Sequence, residues 1–109
     1  MTKIDLIDKL VSLPDLIEEQ EKASISASQQ VQKSKGKLTE VEDVLLLGGV
    51  IDGKNAEIRA AQMRENTTSE RETVQNAERV LTIEQVKINR LNNELAICRA
   101  IAWMLKGAE

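Results

Sequence analysis

The chain has no His, no Phe and no Tyr, and only one Trp, one Cys and one Pro among 109 residues. Without His it lacks the usual general base and the commonest metal ligand. The lone Cys98 excludes an intramolecular disulfide and cannot build a zinc site. A compact globule of this length would draw on several aromatics, because each buries a large area. A helical bundle manages with Leu, Ile, Val and Ala. Six Gly and Pro residues in all leave few turns, and 30% charged residues suit solvated helices. No apolar run approaches the length of a membrane span. The lack of a disulfide framework and of a signal peptide points to a cytoplasmic setting. No cofactor, no metal and no catalytic residue is expected.

The most patterned stretch is Ser69 to Lys106. Its a positions read Val74, Leu81, Ile88, Leu95 and Ala102, and its d positions Ala77, Glu84, Leu91, Cys98 and Leu105. Nine of the ten are apolar, the repeat of a coiled-coil seam. Glu84 is the exception, read as a partly exposed residue that pairs with a Lys or Arg and helps to fix register. Cys98 reads as a small buried hydrophobe. A second stripe, Ile83, Val86, Ile97, Ala100 and Met104, lies on another side of the same helix. A helix apolar on two sides needs more than one neighbour.

From the N-terminus, residues 2–13 read as a short amphipathic helix capped by Thr2 or Asp5. Pro14 disfavours the helical conformation at Leu13, which is expected to end it. A second helix spans 14–47, with Ile17, Ser24, Val31, Leu38 and Leu45 at a and Gln20, Ala27, Ser34 and Val41 at d. Its middle is small and polar, and Gly36 weakens it locally. The turn is 48–53, with Gly48 or Gly49 as a left-handed cap and Asp52 capping the next helix. A fold about residue 50 places Leu45 near Ala56, Leu38 near Met63 and Ala27 near Val74. The seam read backwards through Thr67, Met63, Ala60 and Ala56 favours one long helix over 54–106. Ser69 followed by Glu72 matches a capping box, which sets a break near 66–69 against that reading. The expected fold is therefore all-α, a single domain over 1–109. It is a long, coiled-coil-like antiparallel helical hairpin with a short N-terminal helix, assembling into a helical bundle.

The hairpin leaves the apolar end of the last helix without a full-length partner. That mismatch makes a dimer or tetramer the expectation, with Val74, Leu81, Ile88, Leu91, Leu95, Cys98, Ile101 and Leu105 at its interface. Gly48-x-x-x-x-Gly53-Lys54-Asn55 imitates a phosphate loop, but Asn55 stands where a Ser or Thr would hold Mg²⁺, and Asp52 would face the phosphates. Caps of two helices explain the same residues. Lys33, Lys35 and Lys37, with Arg64 and Arg71 across the hairpin, form a basic band that could meet nucleic-acid phosphates. No aromatic residue is interleaved with them to stack on bases. The net charge of −3 calls for no polyanion.

The stretch Asp52-Gly53-Lys54-Asn55-Ala56-Glu57-Ile58-Arg59-Ala60-Ala61-Gln62 resembles a run found in small helical proteins of phages and prophages. The resemblance covers the second half of the chain. It implies an accessory protein from a recombination or replication region, with Lys54, Asn55, Glu57 and Arg59 as a polar contact site at the hairpin tip. Read from the residues alone, Asp52 and Asn55 cap the helix, and Ala56, Ala60 and Ala61 pack against the second helix. Two functions are compatible with these features. One is a non-enzymatic, oligomeric helical scaffold or adaptor for protein–protein interaction. The other is a nucleic-acid-binding accessory protein that uses the Lys/Arg band.

Overall fold

The computed structural model describes residues 2–108; Met1 and Glu109, the ends of the expected 1–109 domain, lie outside them. Three helices occur in order, α1 (Lys3–Leu47), α2 (Ala56–Asn66) and α3 (Thr68–Ala108), with no strand among the described residues. The chain is all-α and hairpin-like in topology. Packing divides it into two compact units. One comprises the residues up to Ser26 and from Thr82 on, and the other Ala27–Leu81. In each unit a stretch of α1 runs antiparallel to a stretch of α3.

The expected stop at Leu13 does not occur, because α1 continues through Pro14. Pro14 lies on the exposed side of the helix. Its ring removes one N–H and crowds the carbonyl of Leu10, at a cost of about 3 kcal/mol. Against that stand Leu6 and Leu13, both buried, and Leu10, half-buried. Full burial of a leucine is worth about 1.5–3 kcal/mol. The leucines outweigh the proline, and the helix keeps its course. Thr2 starts it with a reciprocal cap. Its hydroxyl accepts from the Asp5 N–H at 3.1 Å, and the Asp5 carboxylate accepts from the Thr2 N–H at 3.1 Å. Hydrogen bonding to the Asp5 carboxylate from the Thr2 hydroxyl first, and from the Thr2 N–H after it, holds that carboxyl below its ordinary pKa.

In the first unit, Leu6, Leu13 and Cys98 form a core, with Leu10, Leu91, Leu95, Ile101 and Ala102 packed on it. Lys9 pairs with Glu94, which raises the lysine pKa, and Gln20 donates to Glu84. In the second unit the buried apolar residues are Ala27, Val31, Val74 and Ala77. Ala27 shares a groove with Thr73, Asn76 and Ala77, so the register lies about three residues beyond the expected Ala27–Val74 pairing. The connection explains the shift. It occupies the eight residues between Leu47 and Ala56, and the fold point moves from 50 to about 52.

Gly49 adopts φ 73°. The Val50 N–H bonds the Leu45 carbonyl at 3.2 Å and the Gly49 N–H bonds that of Leu46 at 3.4 Å, a Schellman ending for α1. Asn55, not Asp52, caps α2, its side chain accepting from the Ile58 N–H at 2.9 Å. The long third helix is broken at Thr67, between α2 and α3. Thr67 is fully buried; its hydroxyl donates to the Met63 carbonyl at 2.7 Å and accepts from Arg71 Nε at 2.8 Å. α2 buries no residue, and Ala56, Ala60 and Ala61 are exposed instead of packed on α1. Gln62 ties α2 to the turn, accepting from the Gly53 N–H at 2.9 Å and donating to Asp52 at 3.0 Å.

Two substitutions test the continuity of α1. Pro14→Ala restores the missing donor and is expected to stabilise the fold by about 2–3 kcal/mol. A Cβ at Gly36 meets nothing within 4 Å, so Gly36→Ala is expected to add about 1 kcal/mol. Urea unfolding followed by circular dichroism measures both. A Pro14→Ala chain no more stable than the wild type would contradict a helix running through residue 14.

Candidate functional site

The seam of α3 faces inward. Val74 and Cys98 are buried, and Leu81, Ile88, Leu91, Leu95 and Ile101 are half-buried. Only Leu105 of the expected oligomer interface counts as exposed. That interface presupposes a helix that stops at Leu13. Because α1 continues, its own Leu6, Leu10 and Leu13 cover Leu91, Leu95, Cys98 and Ile101 within the chain. Cys98 is 1% exposed, in the role of a small hydrophobe.

The other stripe of α3 is the one left uncovered. Ile83, Val86, Ile97 and Met104 are 53, 48, 59 and 66% exposed, and Trp103 beside them 74%. Lys106 Nζ sits 5.7 Å from the Trp103 ring centroid, a cation–π contact. The sequence marks this stripe as apolar but does not say which of the two faces α1 takes. The length of α1 decides that, because its residues ahead of Pro14 take the inner face.

Gln20 and Glu84 both occupy d positions. Gln20 Nε2 donates to the Glu84 carboxylate and, at 3.1 Å, to its backbone carbonyl. Lys87 approaches the same carboxylate at 3.4 Å. The Gln20 bond first, and Lys87 after it, hold the Glu84 carboxyl below its ordinary pKa. The expected basic partner is Lys87, on the same helix, and the partner across the helices is the amide of Gln20. One polar layer in an apolar seam penalises every shifted alignment.

The basic band does not assemble as one surface. Lys33 and Lys37 line a shallow groove with Gln30, Ser34, Glu40 and Thr73. Lys35 leaves it to pair with Glu78 at 3.8 Å, and Arg71 turns to the Thr67 hydroxyl. Arg64 is exposed on α2. At the tip, Asn55 is used as a cap, and Arg59 Nη1 donates to the Gly53 carbonyl at 3.1 Å, closing the turn. Lys54 and Glu57 are exposed. Sequence reasoning missed Gln62 and Thr67, which organise the tip and the break. Thr67 falls on the a/d repeat and Gln62 beside it, but nothing in their spacing announces these bonds.

Among the described residues, no group of His, Cys, Asp and Glu is placed to hold a metal ion, and no helix is long and apolar enough to cross a membrane. Compared with family models, curated proteins and solved structures, the chain finds no match.

The Glu84 layer has a pH signature. A carboxylate with a lowered folded-state pKa contributes stability above its unfolded value, and that contribution is lost as pH falls through the folded value. Acidification below the ordinary glutamate range is expected to lower the urea midpoint of the wild type. Glu84→Gln, which has no such proton to take up, is expected to start lower at neutral pH and to lose less. Parallel urea midpoints at neutral and acid pH for the two chains check this. Equal acid losses would remove Glu84 as the source.

Proposed function

We propose that the protein is a non-enzymatic helical scaffold that works by protein–protein packing, first of all with itself. The observation that carries this reading is the outer face of α3. Seventeen large apolar side chains of the described chain are exposed against eight buried apolar ones, and on the outer side of α3 they form two clusters, Ile83 with Val86 and Ile97 with Trp103 and Met104. Scattered exposed apolar residues need no explanation, but apolar clusters gathered on one side of one helix mark an interaction surface. A dimer or tetramer, in which such stripes meet in a helical bundle, satisfies that surface. The resemblance of the turn and α2 to small phage and prophage proteins suits an accessory role in the cytoplasm, in which the assembly presents its exposed tips to a further protein.

A second reading is nucleic-acid binding, favoured by the groove that Lys33 and Lys37 share. Glu40 in the same groove and the Lys35–Glu78 pair weaken it. Light scattering coupled to size exclusion is expected to give a multiple of the 12.1 kDa chain mass. A monomer at tens of micromolar would contradict the scaffold reading. Fluorescence anisotropy with labelled single- and double-stranded DNA is expected to show no binding at low salt, where phosphate contacts are strongest. Saturable binding lost in Lys33→Glu would favour the second reading instead.

A further inference from the structure

The outer face of α3 carries a second seam. Positions 83, 86, 90, 93, 97, 100 and 104 advance by alternating steps of three and four residues. That is the spacing of the inner seam, shifted to the opposite side of the helix. With 82, 89, 96 and 103 beside them, the face has eleven positions, and Arg90 is the only charge. The eighteen equivalent outward positions of α1 between Ile4 and Asp43 carry nine charges. One helix therefore shows water an ordinary solvated surface, and the other does not. Ile4, Ile7 and Val11 of α1 are exposed too, but Asp5 and Asp8 lie among them.

We propose that a second copy of the chain docks on this face, α3 against α3, antiparallel about a two-fold axis at Asn93. About that residue the seam is apolar at both ends, with Arg90 opposite Ile97 as its one unlike pair. Ile83 then meets Met104 of the second copy, Val86 meets Ala100, Arg90 meets Ile97, and Asn93 meets its own equivalent. Two facing amides both donate and accept, and a single Asn in an apolar seam fixes register and partner number.

Charge selects the direction. Parallel pairing stacks Arg90 on Arg90. Antiparallel pairing separates the two by about 10 Å and brings each within about three residues' rise of the second copy's Glu94. The Glu94 side chain is still 40% exposed after pairing with Lys9, so it has an oxygen to offer. Area agrees. Ile83, Val86, Ile97, Trp103 and Met104 together expose on the order of 600 Å². Divided between the two ends of the face, with Arg90 and Asn93 between them, that is most of the roughly 800 Å² that each partner gives a standard interface.

This surface deepens the self-association reading and rests on it. Sedimentation equilibrium on the full chain, with Ile97→Glu beside the wild type, tests the face. Non-reducing electrophoresis of oxidised Asn93→Cys tests the axis. The wild type is expected to dimerise. Ile97→Glu is expected to fold, because its side chain is exposed, with circular dichroism as the check, and to dimerise about 30-fold more weakly or worse. Asn93→Cys is expected to give a covalent dimer, and the wild type none, because Cys98 is buried. A monomeric wild type overturns both this surface and the self-association reading. A dimer that Ile97→Glu does not weaken, or that Asn93→Cys does not link, overturns the two-fold at Asn93 and leaves self-association standing.

Discussion

The fold depends on one in-phase repeat. Leu6, Leu10, Leu13, Ile17, Gln20, Ser24, Ala27, Val31, Ser34, Leu38, Val41 and Leu45 succeed each other in steps of four and three along α1. All twelve are buried or half-buried. Within each unit a helix so patterned keeps this one face against its partner. The local penalty of Pro14 falls on the outward side, where it disturbs no seam contact. Because the repeat carries on past the proline, α1 reaches back to cover the apolar end of α3. The inner seam is thereby covered within the chain, and the outer stripe of α3 stays exposed.

The seam is not uniform, and its weak part has a use. At its ends it is leucine, valine and isoleucine; in the middle it is Gln20, Ser24, Ala27 and Ser34, with Val31 the one larger apolar residue among them. Small and polar residues remove little apolar area. Ser34 satisfies its hydroxyl on the Gln30 carbonyl at 2.8 Å, while the buried Ser24 Oγ has no protein partner. What the middle gives up in burial it returns in specificity through the Gln20–Glu84 layer. Leucine-rich antiparallel seams tolerate slippage by a heptad, and a buried hydrogen-bonded pair makes each slipped alignment leave polar groups unpaired.

The heptads of α3 are legible in the sequence from Val74 to Ala102, and so are the turn and its left-handed glycine. The continuity of α1 is legible too, in the repeat that runs backwards from Ile17 through Leu13, Leu10 and Leu6. The steric rule at Pro14 obscures it, because that rule concerns the conformation of one residue while the competing quantity is the burial of three leucines. The break at Thr67 is visible only as a competing signal, because a buried Thr that bonds Met63 and Arg71 has no signature in spacing. Of the candidate site, both stripes of α3 can be read from the residues. Their assignment cannot, because it depends on the length of α1. The basic residues look like a band because they are close in sequence. A helix separates Lys35 from Lys33 and Lys37 by about half a turn, and Glu78 takes Lys35 away.

The most direct measurement concerns whether the inner seam closes within one chain. Unlabelled and heavy-isotope-labelled protein are mixed in equal amounts, unfolded and refolded together. Carbodiimide then joins ion-paired amines and carboxylates, and the peptides are read by mass spectrometry. The expected product is a Lys9–Glu94 amide whose two halves always carry the same isotope. Mixed light–heavy Lys9–Glu94 links at the statistical proportion would mean that α1 of one molecule covers α3 of another. The outer face of α3 would then no longer be the surface left over.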